Sequence, residues 1–272
     1  KCLKIVEVET MKKLVMLVML ALSVMMCSVQ KEEKNDSKAA EGQLPKKVVI
    51  GLDDTFAPMG FKNEKGELVG FDIDLARYVA KKLNMEVEFK PINWDSKIMD
   101  LNSGNIDLIW NGLTITPERA QQTEMSKPYL ANSQVIITRV DSNIKSKADL
   151  KGKVVGVQTQ SSGEEKVKKL GEDKAFKEFK GYAQYDQAFL DLDAKRIDAI
   201  VIDEAFARYI KKIKEDQSKK PLYVILDENY GKEEMAVAAK KGNKVLIDAI
   251  NKGIDEAKAS GEYNKISSKW FK

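Results

Sequence analysis

The sequence predicts an α/β chain of two lobes joined by two crossover strands, and three observations predict it. The chain has 272 residues, room for two units of roughly 100–200 residues each. Short β-rich runs alternate along it with amphipathic helical runs. That alternation occurs as two similar series, separated by the charged loop Asp141–Lys151.

Composition removes whole classes of function. Charged residues make up 32% and hydrophobic residues 43%, with 46 Lys+Arg against 42 Asp+Glu. Such a chain is neither disordered nor a polybasic nucleic-acid binder, and no nucleic-acid partner is expected. It contains no histidine, so Ser/His/Asp triads, Cys/His pairs and histidine zinc sites are excluded. Cys2 and Cys27 are the only thiols, which removes structural disulfides and CxxC metal sites from the expected architecture. No metal is expected.

The front end reads as an address. Lys1–Thr10 precede Met11, the plausible initiator, and read as an over-called start. Met11–Cys27 has a basic start at Lys12 and Lys13 and an apolar run, Leu14–Met26, of 13 residues. That run is a secretory signal, short of the ~20 residues a spanning helix needs. Cys27 follows it directly, where the lipid-modified cysteine of a bacterial lipoprotein would sit. Cleavage at Ala21-Leu22-Ser23 is the alternative. Ser28–Pro45 is polar and charged, the composition of a tether.

From Lys46 onward the elements follow in order. Val48–Leu52 is a predicted strand, and Phe61 to Val69 a hairpin turning at Lys65-Gly66. Phe71–Asn84 places Leu75, Ala76, Val79 and Leu83 on one helical face, with Asp72 and Asp74 in the dipole-favoured first turn. Val87–Phe89 (strand), Ser96–Ser103 (helix), Ile106–Trp110 (strand), a helix from Pro117 and Gln134–Thr138 (strand) complete a βαβαβ series, which argues for a parallel sheet. The second series runs Val154–Val157, Ser161–Leu170, Phe179–Tyr182, Asp186–Lys195, Ile197–Ile202, Glu204–Ile213 and Leu222–Leu226. Met235–Ala239 (strand), Lys244–Ala259 (helix) and a terminal helix ending in Trp270 and Phe271 do not make a third sheet, so they return to the first lobe. The expected division is residues 46–138 with 234–272 for the first lobe and 139–233 for the second. Chain crossings near Thr138 and Asp227–Met235 make a hinge, and hinged lobes enclose small ligands.

The densest motif is Asn111 to Arg119, after the strand Ile106–Trp110. In parallel α/β sheets the carboxyl ends of strands open onto the ligand crevice. Gly112 permits close approach to the backbone, Thr114 offers a hydroxyl, and Thr116-Pro117 is an N-cap with Pro at the first helical position. Arg119, one turn in, can grip a carboxylate with two parallel hydrogen bonds.

These segments carry a resemblance. DLIWNGLTITPER, with GLDDTFAPMGF and GFDIDLARYVAKKL before it, GKVVGVQTQSSGEE and DAIVIDEAFARY after it, and the closing GEYNKISSKWF, resembles the amino-acid-binding proteins of bacterial ABC importers, solute-binding protein family 3, across Lys46–Phe271. The resemblance implies a two-lobed, Venus-flytrap (periplasmic-binding-protein) fold that holds a free amino acid at the hinge, with no catalytic centre and no cofactor. It also implies residue roles. Arg119 would bind the ligand α-carboxylate, with Ser161 and Ser162 at the following lobe's helix start. A helix N-terminus favours an anion there. Asp203 would pair with the α-ammonium, helped by the Gly112 carbonyl and the Thr114 hydroxyl within the loop begun by Asn111. Asp53 and Phe56 match the side-chain pocket, with Trp94 as the opposing wall. The family often carries a glycine where this chain has Gln158-Thr159-Gln160-Ser161, which leaves the contacts of Gln158 and Thr159 open.

Each role has a plainer rival. Arg119 could pair with Glu118 or Asp107 on the surface, Asp203 could cap the helix starting at Glu204, and Trp94 could be core. Asp53 and Asp54 face opposite ways in an extended chain, so one acid is expected to reach a ligand and the other solvent.

The expected function is capture of a polar or cationic L-amino acid, of the Lys/Arg/ornithine or Gln class, by a monomer outside the cytoplasm, either a lipid-anchored or a periplasmic protein. The amino acid would pass to a membrane permease driven by its ATPase. The alternative is a dehydratase of cyclic prephenate-like acids on the same fold. No apolar spanning segment follows Ala259, which favours a freestanding protein over a receptor ectodomain.

Overall fold

The first sheet is built around β1 (Lys47–Leu52), which pairs in parallel with β5 (Glu86–Pro91) on one side and β6 (Leu108–Ile109) on the other. The computed structural model describes residues 43–271, and Gly42–Lys272 forms one compact unit. The predicted start, signal and lipidation site at Cys27, and all but the last residues of the tether, lie outside the described residues.

Between β1 and β5 the chain forms a small antiparallel sheet of β2 (Thr55–Phe56), β3 (Gly60–Lys62) and β4 (Leu68–Val69), and then α1 (Phe71–Lys82). Asp72 and Asp74 open α1 and Lys81 and Lys82 close it, matching the helix dipole at both ends. Its buried face, with Leu75, Ala76 and Val79, packs on the returning helix described below. A short 3₁₀ turn, Trp94–Ser96, leads into α2 (Lys97–Ser103). The chain continues through β6, α3 (Pro117–Gln122), β7 (Thr123–Met125) and β8 (Leu130–Arg139).

The second sheet has the order β10-β9-β11-β8-β12. β9 (Val154–Gln158) is followed by α4 (Ser162–Leu170), β10 (Glu178–Tyr182), α5 (Tyr185–Asp193), β11 (Ala199–Asp203), α6 (Glu204–Ser218) and β12 (Tyr223–Met235). All five residues of β11 are buried, as expected for a strand covered on both faces. The chain then returns through β13 (Ala238–Lys240), which is antiparallel to β6 and β7 in the first sheet, and ends in α7 (Lys244–Ala259) and α8 (Glu262–Trp270). A Cβ at Gly253 of α7 would lie 2.5 Å from Val79 Cγ1, so α7 approaches α1 more closely than any larger residue permits.

Two lobes joined by two crossover strands is the observed architecture, with one correction. Gln134–Thr138, assigned above to the first lobe, belongs to the second sheet: it runs antiparallel to β11 from Asp203↔Gln134 to Ala199↔Thr138. The expected boundary at 138/139 therefore falls at the end of a second-sheet strand. The crossing is one ten-residue strand, β8, paired with β12 from Met235↔Leu130 to Tyr223↔Arg139. Met235 likewise closes β12 and does not open the strand expected at Met235–Ala239. Periodicity locates such apolar runs but carries no information about which partner strand they join.

Candidate functional site

Apart from Arg119, which stands on the first turn of α3, the candidate side chains are placed at or just beyond the carboxyl ends of strands. Asp53 and Phe56 follow β1, Trp94 follows β5, and Asn111, Gly112 and Thr114 follow β6. In the second lobe Gln158 ends β9, Ser161 and Ser162 begin α4, and Asp203 ends β11. Together with Arg119, these residues line one tightly closed pocket between the lobes. The structure thus brings together all ten residues singled out from sequence and adds Gln158.

Arg119 is set by its helix start. Thr116, in extended conformation at the N-cap, accepts the Arg119 amide at 3.3 Å, and Pro117 follows it. Arg119 is 7% exposed, and its guanidinium donates to the Thr114 carbonyl at 2.9 Å and to the Gln160 carbonyl of the other lobe at 3.0 Å. Arg119 is therefore buried with its side chain on two carbonyls, not a surface arginine, and Asp107 accepts the Val49 amide. Two bonds leave three of the five guanidinium N–H groups for another partner. Lys97 Nζ donates to the same Gln160 carbonyl at 3.0 Å and to Trp94 O at 2.9 Å. Burial, and then the Arg119 charge, push its ammonium down to about 7.

Gly112 has φ +61°, and a Cβ there would lie 2.9 Å from Phe56 Cε1; only glycine fits beneath that ring. Its amide donates at 2.7 Å to Asp72 Oδ2, which also accepts the Tyr129 hydroxyl at 2.9 Å. Asp72 is fully buried, and that burial pushes its carboxyl up to about 7 against these hydrogen bonds. Asn111 Oδ1 accepts the Asp53 amide.

Asp203 stands at the N-cap of α6 but makes no side-chain capping bond, so the capping explanation fails. Its Oδ1 accepts Asn132 Nδ2 at 2.7 Å. Burial first, and then the charge of Glu233, push its carboxyl well above the ordinary range. Ser161 does cap: its Oγ accepts the Glu164 amide at 3.1 Å at the start of α4. Ser162 Oγ donates across the cleft to Thr114 Oγ1 at 3.1 Å.

At the other end of the cavity Asp53 Oδ1 accepts the Thr55 amide and hydroxyl, and Oδ2 accepts Gln158 Nε2 at 2.7 Å. Burial pushes its carboxyl up. Asp186 at the start of α5 is pushed up as well, by burial and then by the Asp53 charge, but it does not line the cavity. Asp54 pairs instead with Lys62 at 2.6 Å. Phe56 lies 5.2 Å from Phe206 and 6.2 Å from Tyr185 by ring centroids, contacts that reach into the second lobe. Trp94 has both roles weighed for it, packing with Leu101 and Ile106 while lining the cavity.

Sequence reasoning passed over Lys97, Asn132, Gln134 and Glu233. Asn132 and Gln134 stand two apart in an apolar strand, a spacing that puts two polar side chains on one face. Gln158 ends a parallel strand as Asp203 does, and that rule applied uniformly would have selected it. Glu233 has no comparable signal.

Residues 48–272 match the family model of the bacterial extracellular solute-binding proteins, family 3. The arginine-binding extracellular protein ArtP of Bacillus subtilis (strain 168) is 34% identical over 226 residues, 83% of this chain and 86% of its own length. A substrate-binding protein of an ABC uptake transporter from Streptococcus pneumoniae, solved with bound histidine, superposes with a TM-score of 0.79 at 36% identity, covering 83% of this chain and 92% of that one. An ancestral arginine-binding protein solved with arginine gives a TM-score of 0.77 at 42% identity, covering 85% of this chain and all 100% of its own.

Proposed function

The chain belongs to family 3 of the bacterial extracellular solute-binding proteins, and on that footing we propose that it captures a cationic L-amino acid between its two lobes and delivers it to an ABC importer. One observation carries the reading: a single buried cavity presents one guanidinium, Arg119, and two carboxyl groups, Asp53 and Asp203. A zwitterionic head group matches Arg119 with its carboxylate and Asp203 with its ammonium. Asp53 then remains for a positive side chain, with Phe56 and Trp94 offering aromatic surface to it. Among the relatives are arginine-binding and histidine-bound proteins, which accords with a basic ligand, and also an L-cystine-binding protein and an ancestral arginine-binding protein solved with glutamine, which keeps neutral polar ligands in the test.

In this reading the first-turn N–H groups of α4 complete the carboxylate site. Closure of the second lobe over the ligand excludes water and strengthens both head-group ion pairs. A micromolar site requires about 8 kcal/mol net, which two charge-assisted contacts and an aromatic sandwich can supply. Lipidation of Cys27, with Ser28–Pro45 as tether, would hold the protein at the membrane surface, and intact mass of the mature protein tests it.

Calorimetric titration with L-arginine, L-lysine, L-ornithine, L-histidine and L-glutamine tests the ligand class. The basic amino acids are expected to bind at micromolar level or tighter, and L-glutamine more weakly. Arg119→Ala retaining full affinity would overturn the site. Turnover of a prephenate-like acid by the wild-type protein would favour the dehydratase alternative.

A further inference from the structure

Glu233 lies on the crossover strand β12, and its side chain is 3% exposed. Its Oε1 accepts Thr114 Oγ1 of the first lobe at 2.8 Å, and Asn132 Nδ2 and Gln134 Nε2 of the other crossover strand at 2.7 and 2.9 Å. Its Oε2 pairs with Lys166 Nζ of the second lobe at 2.9 Å. An ionised carboxylate only accepts hydrogen bonds, so the Thr114 hydroxyl must spend its one proton on Glu233. Thr114 Oγ1 is then an acceptor toward everything else. Ser162 Oγ takes a hydrogen bond from Gln134 Nε2 at 3.1 Å and has two acceptors for its own proton, Thr114 Oγ1 at 3.1 Å and, at 3.4 Å, Glu233 Oε1. The donors of Gln134, Ser162 and Thr114 all run toward Glu233, directly or through one another, and involve residues of both lobes and both crossover strands.

We propose that Glu233 is a positioning residue that sets the direction of this chain, and so makes Thr114 an obligate acceptor that selects a ligand carrying an α-ammonium. The proposal rests on the head-group assignment above. With Thr114 fixed as acceptor in the same pocket as Asp203, an ammonium finds free acceptor capacity on both, whereas a ligand without the α-amine leaves that capacity buried without a donor. The Ser162 hydroxyl proton is likewise spent, so within the α-carboxylate site this residue acts through its backbone N–H alone. Glutamine at 233 can donate as well as accept, which frees the Thr114 proton to turn toward the ligand.

The test compares L-arginine with 5-guanidinopentanoate, the same molecule without its α-amine, and L-histidine with 3-(imidazol-4-yl)propionate if arginine does not bind. Wild type is expected to prefer the amino acid by about 100-fold or more, and Glu233→Gln to reduce that preference by about 10- to 100-fold, while Glu233→Asp stays near wild type. An unchanged preference in Glu233→Gln overturns the proposal. If that variant does not fold, Lys166→Met carries the test. Glu233 faces Lys166, Asp203, Arg119 and Tyr185, and without its ion pair it takes up a proton at higher pH. The amino-acid preference then falls more steeply as the pH is lowered than it does in wild type, and an identical profile overturns the proposal. Full L-arginine affinity in Arg119→Ala marks failure of the head-group assignment itself, a separate result.

Discussion

Gln158 Nε2 donates to Asp53 Oδ2 at 2.7 Å, joining the carboxyl ends of β9 and β1 in different lobes. The bond exists only while the lobes are together, and it lies at the end of the cavity assigned to the ligand side chain. Gln158→Leu removes a donor from a buried carboxylate as well as a contact across the cleft. Affinity for L-arginine is expected to fall about tenfold, mostly through faster release, since loss of a hydrogen bond to a charged group is worth about 1.5–3 kcal/mol. Surface plasmon resonance resolves the two rates; an unchanged off-rate would count against the interlobe role.

Asp203 gives a proton signature. Burial and the neighbouring Glu233 charge push its carboxyl up to about 8, so near neutral pH the free protein holds a proton there. A ligand ammonium beside it reverses the preference and expels that proton. Binding therefore releases a proton, and affinity rises with pH until about 8, then levels off. Calorimetry in buffers of different ionisation enthalpy measures the release directly, and Asp203→Asn should abolish it along with most of the affinity.

Asp72 should leave its mark on stability. Its native pKa of about 7 lies above the unfolded value of 3.8, so between these limits the native state holds a proton that the unfolded chain has lost. The group therefore makes the protein less stable as pH rises through this window, by on the order of 4 kcal/mol at most, with no further change above it. Asp72→Asn lacks this slope. Melting temperatures of variant and wild type should diverge in the variant's favour from about pH 4 to about pH 7; parallel curves would contradict the assignment.

Gly112→Ala places a Cβ 2.9 Å from Phe56 Cε1 at φ +61°. The left-handed backbone and the displaced ring together should cost about 2–4 kcal/mol of stability. Phe56 lines the cavity, so moving its ring should also lower ligand affinity by about tenfold or more. Thermal melts and titration read the two effects separately. Normal affinity with reduced stability would place the Phe56 ring outside the ligand's reach.

Within the run Asn111–Arg119 the pocket residues carry local signals, whereas Asp53, Phe56, Trp94, Ser161, Ser162 and Asp203 were singled out through the family resemblance. Thr116-Pro117 before Arg119 is defined within a few residues of chain, where capping and strand-end rules operate. Glu233 was not legible. It sits in the run Glu233-Glu234-Met235, where neither acid is marked by its neighbours, and its partner Thr114 is 119 residues away. Lys97 is similar: a lysine in a short amphipathic helix reads as surface, and its 3% exposure follows from the Gln160 carbonyl supplied by the other lobe.

The chain's own order of apolar periods, caps and turns determined that it would form alternating strands and helices in two series, and which side chains would stand at strand ends. Those choices depend on interactions between near neighbours, which any α/β context preserves. Tertiary structure alone decided that β8 joins the second sheet, that Asp53 meets Gln158, and that Asp203 and Glu233 share a buried polar cluster. Each of these depends on strand register and lobe closure, where a shift of one residue turns a side chain to the opposite face, and local sequence contains no term that selects the partner.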